Sequence, residues 1–563
     1  MNLELTNFNH NLTLKQLNTI ISDIKKNKIV ASIDYTIGKY NKKIWYNTSK
    51  YSNKLHALKF IQYTLEYYQK FNDDSGLEKA IALFYLWYEE NYPKSKSKEC
   101  YQGKVLAERL LNVSNLLIIC KMNDICILDD IFIEVITSHI GYNLMDINYS
   151  SNHFTAICQD ISIINASIIY QFYYIDNAFN KAINKACSRL QKQIDYYVRK
   201  GQYLGNSLKK CYKLFILLFH LYEFLSKYTE LSFTIFLKTK LDELYYFIYN
   251  MTFPGGLFDN SLVNLEAQVL VNYPHNLNNN FVDLYIKKND MKLINKVLVY
   301  DMAKIFIYNN SLEFNESYYK LIFTNGFFSQ TEKKYDNLHF DLYYKDILLF
   351  IKNNKNLTVN SRNYNNIIVD SHDFLIDKSQ INLCCFTSYA KVNELAFISG
   401  LHLLYEDVLI KRNLVLFKDY IIIIDEFLAL ENHDFEINFN IHPNILLEVD
   451  KENNFYGNKS KNNLFTLRAL YSSTDYLSSN KDNIITFKIK SMEGVFITLI
   501  DFNRKKHKFN LKVKENRIFI NNFMIIRDKY YNEILYKNEN ITERLASEKE
   551  CLKELGLLYQ NKK

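Results

Sequence analysis

The stretch Lys411-Arg-Asn-Leu-Val-Leu-Phe417-Lys-Asp-Tyr420-Ile-Ile-Ile-Ile-Asp425-Glu-Phe427 consists of two apolar runs broken by Lys418-Asp419. It predicts strands over Val408–Phe417 and Tyr420–Asp425 joined by a tight turn. The same texture continues on both sides. From about Phe314 onward, strands are expected over Asp346–Lys352, Asn366–Val369, Ile381–Thr387, Phe435–His442, Leu464–Tyr471, Ile484–Lys490, Val495–Phe502, Lys508–Val513 and Arg517–Ile520. Turn residues separate them at Asn453-Asn454, Gly457-Asn458, Glu493-Gly494 and Glu515-Asn516. Many strands with no helices between them predict stacked antiparallel sheets.

Toward the N-terminus the apolar spacing changes to three and four. Helices are expected over Leu14–Lys26, Leu55–Phe71, Leu77–Asn91, Tyr101–Cys120, Ile127–Ile140, Phe154–Tyr170, Ala178–Val198, Ser207–Lys227 and Phe233–Tyr249. Short polar connections such as Asn72–Gly76 and Tyr149–Asn152 favour antiparallel helix pairs. A ring of such hairpins, an α/α toroid, is one closed arrangement. A solenoid is another, but no fixed repeat supports it. The expectation is an α+β multidomain chain. An incomplete α/α toroid occupies residues 1–310, a large antiparallel β-sandwich 311–540, and a helix 541–563 whose amphipathic part is Ile541–Leu558.

Composition narrows the function classes. The chain has 563 residues, 48% of them hydrophobic, enough for large cores. Its net charge of +8 is spread along the chain and suits mild attraction to anionic polymers. No dense basic stripe points to nucleic acid. Nine scattered cysteines contain no CxxC pair, which disfavours a disulfide framework or zinc ribbon. The run Ile421–Ile424 is far shorter than the roughly 20 residues of a membrane span, and no other run predicts one. The first residues show no basic and apolar leader, so a cytoplasmic location is expected from the sequence.

Several segments resemble, in order, those of the heparinase II/III-like polysaccharide lyases. Arg412 with Tyr420–Asp425 is similar to the "R-x-V…Y-hydrophobic-D" segment of their C-terminal domain, and His433 through His442-Pro443 to "H…F-x-x-H-x-P". Ala107-Glu-Arg109-Leu-Leu-Asn112 resembles the "A-x-R-x-x-N" helix. Ser151-Asn152-His153 resembles an Asn-Asn-His helix start, and Pro254-Gly-Gly256 through Asp259 and Ser261 the "P-D-G…D-S" segment. The resemblance spans roughly Leu55 to Asp450.

It implies β-elimination on a uronate-containing glycan, with a periplasmic or cell-envelope setting. Such chemistry needs a group that neutralises the sugar carboxylate, a base for the adjacent proton and an acid for the departing oxygen. The resemblance assigns the first task to Asn152 and His153. From the residues alone, Asn152 is equally a helix N-cap. The catalytic tyrosine corresponds to Tyr212, with Tyr203 as a second candidate. Tyr212 is matched only with a two-residue insertion, and Gly205 and Lys213 replace an acid and a His. The family's "H-x-H-x-D" reads Asn337-Leu-His339-Phe-Asp341, and a further His ligand corresponds to Asn365. A divalent metal at His339 and Asp341 is therefore doubtful, and no metal or other cofactor is expected. Arg109, His339 and His402 are candidate substrate-binding residues, each with a structural alternative: an interhelical ion pair for Arg109, ordinary strand residues for the histidines.

The leading expectation is a carbon–oxygen lyase whose partner is an acidic polysaccharide or oligosaccharide. One alternative is a catalytically altered relative that binds glycan or serves surface-polysaccharide metabolism. Another is a glycoside hydrolase on an α/α toroid, for which Asp259 and Glu266 are the available carboxylates.

Overall fold

The computed structural model describes residues 14–545 except 27, 33–34, 40–41, 47–50, 75, 96, 175–176, 206, 229–231, most of 257–294, 316, 329–332, 354–359, 382, 393–394, 461, 503–509 and 529–531. Asp259, Ser261 and Glu266 lie outside the described residues. The chain divides into two compact units, one of residues 1–198 with 213–242, the other of residues 199–212 with 243–563.

The helical region comprises α1 (Leu14–Lys25), α2 (Ser52–His56), α3 (Lys59–Phe71), α4 (Leu77–Asn91), α5 (Gly103–Met122), α6 (Asp129–Leu144), α7 (His153–Tyr174), α8 (Asn180–Tyr197), α9 (Leu208–Tyr228) and α10 (Ser232–Met251). These lie close to the periodic segments of the sequence, with one break. The segment expected as a single helix over Leu55–Phe71 is split at Leu58, a buried residue in the left-handed region at φ 56°. Helix α5, whose residues from Val105 to Cys120 are nearly all buried, packs against α6 and α7. A helix apolar on all sides is a core helix.

Apart from two short hairpins among the helices, the run of described strands begins at Val297, earlier than Phe314. A five-stranded antiparallel sheet runs β5 (Val297–Tyr300), β6 (Ile305–Asn309), β7 (Tyr319–Thr324), β8 (His339–Tyr344) and β9 (Ile347–Phe350); β1 (Lys28–Ser32), β2 (Tyr35–Lys39), β3 (Val198–Arg199) and β4 (Gln202–Tyr203) precede it as two hairpins. The largest sheet contains β10 (Ile367–Val369), β11 (Cys384–Val392), β12 (Leu395–Tyr405), β13 (Val408–Leu416), β14 (Tyr420–Asn440), β15 (Leu446–Val449), β16 (Phe455–Lys459), β17 (Asn462–Ser472), β18 (Tyr476–Lys481) and β19 (Ile484–Asp501). A third sheet follows, β20 (Leu511–Lys514), β21 (Arg517–Ile520), β22 (Phe523–Arg527), β23 (Asn532–Tyr536) and β24 (Glu539–Asn540).

The isoleucine run of β14 shows how the layers stack. Ile421 and Ile423 join a core with Phe306, Leu321 and Phe323 of the first sheet. Ile422 and Ile424 join the opposite core with Ile518, Ile520 and Ile525 of the third. All four are fully buried, each contributing about 1.5–3 kcal/mol of transfer free energy. An uninterrupted apolar run in a strand signals burial on both faces.

Three differences from the sequence expectation have local causes. The turn expected at Glu493-Gly494 lies inside β19, because Gly494 lets the Phe427 ring of β14 lie where a Cβ would stand. The apolar pattern delimits no continuous strand over β12, although a strand reading of His402 is among the expectations. Gly400 of this strand packs against Leu338, Phe323 and Phe386, so the residue that interrupts the apolar pattern marks a close approach. The helix expected from Ile541 starts as extended chain: Glu543 and Arg544 pair with Tyr389 and Ser388 of β11, and residues 546–563 lie outside the described part.

Candidate functional site

In the helical unit, the Arg109 and Asn112 motif is a brace. Arg109 is fully buried; its Nη1 donates to the carbonyls of His56 (2.8 Å) and Cys100 (2.9 Å), its Nε to His139 (2.8 Å). Its guanidinium lies 4.4 Å from the Trp87 ring centroid. Asn112 Nδ2 donates to the carbonyl of Ala57 at 2.8 Å. One helical turn apart on α5, these side chains satisfy the carbonyls exposed where α2 breaks from α3. Arg109 therefore has the contacts of a core arginine. Burial and the nearby Arg109 charge push the His56 imidazole down to about 4.

Asn152 caps α7: its Oδ1 accepts from the Thr155 backbone N–H at 3.1 Å. This leaves its amide NH2 end exposed at the positive end of a 22-residue helix. His153 is partly buried, with Nδ1 2.6 Å from Gln193 Oε1 and its ring stacked on Tyr196 at 4.8 Å. The cap and the polar cluster thus coexist in one turn.

In the second unit, a cavity of about 480 Å³ is lined by residues from the β3–β4 hairpin, the β5–β6 connection and β8. The hairpin turns through Lys200 (φ 50°) and Gly201 (φ 71°), both left-handed, as a two-residue type I′ turn requires. Gln202 Oε1 accepts from the Ala303 N–H at 3.0 Å, anchoring the hairpin to the sheet unit. Tyr203, buried, projects over Gly205, where a Cβ would collide with its ring and hydroxyl. Lys200, Lys304, Lys334 and Lys352 line the cavity, as do Asp301, Asp336 and Asp341. Lys304 binds the Asp301 carbonyl at 2.6 Å. Burial would raise the Asp336 carboxyl, but the ion pair with Lys333 outweighs it and holds the group below the usual range.

His339 lines the same cavity, yet both of its nitrogens are engaged. The Asn365 N–H donates to Nδ1 at 2.9 Å, so the ring proton sits on Nε2, 3.2 Å from Asp341 Oδ1. At the positions where the family resemblance implies further ligands, Asn365 is engaged at both ends of its amide, while Asn337 is engaged through Nδ2 and keeps a buried Oδ1 without a hydrogen-bond partner. Asn365 Nδ2 donates to the Phe340 carbonyl (2.7 Å), and its Oδ1 accepts from Asn440 N–H (2.5 Å). Asn337 Nδ2 donates to Asn325 Oδ1 (3.3 Å) and Cys384 Sγ (3.1 Å). A divalent ion needs three or four convergent lone pairs, and this donor set does not fit one. Among the described residues no group of three or more His, Cys, Asp or Glu side chains is arranged to hold a metal ion.

His402 is fully buried between Phe374 and Tyr405, and its Nδ1 accepts from the Leu404 N–H at 3.4 Å. Burial, then the Lys333 and Arg412 charges, push it down to about 3. It does not line the cavity, and neither does Tyr212, which is buried near the start of α9. Of the candidates named from sequence, Tyr203 and His339 line this cavity of the second unit, and Asn152 and His153 cluster at one helix start of the first. The lining lysines carried no motif. Only the fold gathers residues so far apart in the chain.

No protein-family model matches the chain, and no curated protein matches it. Solved structures match over nearly its whole length. The heparan sulfate lyase HepC of Pedobacter heparinus, in a mutant form, superposes with a TM-score of 0.71 at 10% identity, covering 97% of this chain and 92% of that one. A heparinase III structure gives 0.69 at 12% identity, with 97% and 93% coverage. A Paenibacillus xanthan lyase gives 0.59 at 8% identity, with 94% and 65% coverage. The chain has the fold of these polysaccharide lyases, a helical domain followed by a β-sandwich. No described helix is long and apolar enough to cross a membrane.

Proposed function

We propose that this protein is a polysaccharide lyase that cleaves an acidic, uronate-containing glycan by β-elimination. The observation that carries this reading is the cavity in which four lysines accompany a buried tyrosine, Tyr203. The full-length likeness to heparan sulfate lyases supports it. Cations draw a polyanion in and hold the carboxylate whose charge grows as the neighbouring C–H proton leaves. A tyrosine whose phenolate form the nearby lysine charges favour then takes that proton and becomes a neutral phenol. The electron pair becomes the new C=C bond, and the O4 glycosidic oxygen departs with a proton from an acid in the site.

We assign the base to Tyr203, because it lines the cavity, with Tyr212 as the second candidate. His339 cannot act as the base in its present tautomer, since it has no free lone pair. Its place is to orient Asp341. Asn152, with an exposed amide NH2, suits a sugar carboxylate, and a long polymer can be held at more than one point.

The test is incubation with heparan sulfate, chondroitin sulfate and alginate while following ultraviolet absorbance of the unsaturated product. Tyr203→Phe should lower turnover by about 10²-fold or more, with Tyr212→Phe near wild type. The reverse result would move the role to Tyr212. The second reading, a glycan-binding relative without turnover, is favoured by the occupied nitrogens of His339 and by Asn337. Retained binding without any unsaturated product would establish it over the first.

A further inference from the structure

We propose that a groove of the second unit, set apart from the cavity, is a further saccharide site, which takes an acidic oligosaccharide or a stretch of an acidic polysaccharide. That it tethers a polymer cleaved elsewhere rests on the lyase reading; that it binds an acidic saccharide does not.

The groove, of about 630 Å³, is lined by Lys345, Lys459, Ser460, Asn462, Asn463 and Phe502. Three pieces of chain far apart in sequence build it. Lys345 sits in the two-residue turn between β8 and β9, with φ 45° there and 62° at Asp346, the left-handed pair of a tight hairpin. Lys459 pairs with Asn462 at the end of the β16–β17 hairpin, and Ser460 turns at φ 58°. Phe502 follows directly on β19, and its N–H donates to the Asp419 carbonyl at 3.1 Å. Its ring lies 5.0 Å from Tyr319 and 4.6 Å from Tyr344, two buried rings that fix it in place. The Lys345 ammonium lies 5.2 Å from the Tyr344 centroid, within cation–π reach. The groove and the cavity share no lining residue. His339, which lines the cavity, begins β8; Lys345 follows its other end, roughly 20 Å along the strand at about 3.3 Å per residue.

The lining sets the sign of the ligand. Among the described residues no Asp or Glu lines the groove, and neither Lys345 nor Lys459 pairs with a carboxylate. In the cavity, by contrast, Asp301, Asp336 and Asp341 stand beside the lysines. Two cations without a counter-charge in one groove favour an anion. The remaining groups suit a pyranose. Asn463 spends both amide N–H bonds on Asn458 Oδ1 (3.1 Å) and the Phe465 carbonyl (3.2 Å), which leaves its Oδ1 as an acceptor for a hydroxyl. Asn462 and Ser460, both exposed, each carry a donor and an acceptor. The half-buried Phe502 ring supplies the apolar surface against which the C–H face of a sugar packs. Phe502 is the one aromatic residue among the described lining, where a nucleic-acid strand would call for a succession of rings to stack its bases. A polymer held here is present at the cavity at a raised effective concentration, with no added contact to the reacting atoms.

The test uses the full-length protein with Phe502→para-cyanophenylalanine, whose emission reports binding at this groove and not at the cavity. The Tyr203→Phe change is added to slow turnover. The probes are tetragalacturonate, a heparan sulfate tetrasaccharide, neutral maltotetraose, inorganic sulfate and a thymidine tetranucleotide. At least one acidic tetrasaccharide should change the emission and bind more tightly than maltotetraose or sulfate, with affinity falling as salt rises. Lys345→Gln with Lys459→Gln should weaken that binding by about tenfold, at an unchanged melting temperature because both side chains are exposed. No response to either acidic tetrasaccharide, equal affinity in the lysine variant, or affinity no better than for sulfate overturns the proposal. Tighter binding of the tetranucleotide also overturns it, in favour of a nucleic-acid site. The lyase reading is judged apart, by unsaturated product from the wild type. If product forms, the lysine variant should raise KM for a long uronate polymer several-fold at constant kcat, and an unchanged KM overturns the tether. If no product forms while the emission responds, the lyase reading falls and the saccharide site stands.

Discussion

At the scale of single residues, two positions set the chemistry and the framework around it. Gly205 stands where the family resemblance implies an acid, and the structure supplies a reason for glycine: the Tyr203 hydroxyl occupies the space of a Cβ. Gly205→Ala should displace the hydroxyl while costing less than about 1 kcal/mol, because the end of a side chain can swing aside. The expected signature is lost turnover with a melting temperature near wild type. Arg412 is the other position. It is fully buried, bidentate to Asp425 at 2.6 and 3.0 Å, and donates to the carbonyls of Leu338 (2.8 Å) and Asn365 (2.6 Å). Arg412→Leu leaves a buried carboxylate unpaired and should cost roughly 3–5 kcal/mol in urea denaturation. The family-like "R…D" pair is legible in the sequence, but its meaning is not: adjacent strands and total burial turn it into a framework clamp.

At the scale of elements, buried cations and amides tie backbone ends. Lys320 of β7 is buried, with Nζ donating to the carbonyls of Asn250 (2.6 Å) and Thr252 (2.8 Å) at the C-terminal end of α10. A cation suits that end of a helix. Burial nevertheless lowers its pKa to about 7. Between that value and the ordinary lysine value of about 10.4, the unfolded chain binds the proton and the folded chain does not. Its contribution to stability therefore rises with pH across that window, by at most about 1.4 kcal/mol per unit. Denaturation at pH 7, 8 and 9 should show a shallower rise in Lys320→Met than in the wild type. Asn112 does for the α2–α3 break what Lys320 does for α10. Asn112→Ala leaves the Ala57 carbonyl without its donor and should cost about 1–3 kcal/mol. Periodicity located nearly every helix, because one face is apolar and the other wet. It left β12 without bounds, because Gly400 and His402 interrupt the pattern, and it turned β19 at Gly494, because a glycine reads as a turn when its cause is an aromatic ring from the next strand.

At the scale of the whole molecule, buried imidazoles oppose acid. Burial holds His56 down to about 4, His402 down to about 3, and His139 well below its ordinary value. Below about 6.5 the unfolded chain takes up protons at these sites while the folded chain does not. Stability from these groups is complete above that pH and is lost as the pH falls through the window toward those lower values. Asp160, raised to about 6, works in the opposite sense below that pH and offsets part of the loss. Thermal melts from pH 7 to 5 should fall, and His402→Gln should make the fall shallower.

The sequence by itself determined the order of helices then strands and the apolar positions, and it supplied the family-like segments that point to a lyase fold. Those depend on local period and composition, which one chain displays directly. Only the tertiary structure decided what the polar residues are for. Arg109 braces a break, His402 is a core imidazole, His339 has both nitrogens spent, and Tyr203 meets four lysines in a cavity. The physical reason is that a polar side chain takes its role from its partners. Those partners lie up to 53 residues away for Arg109 and 74 for Arg412, beyond the reach of any local pattern.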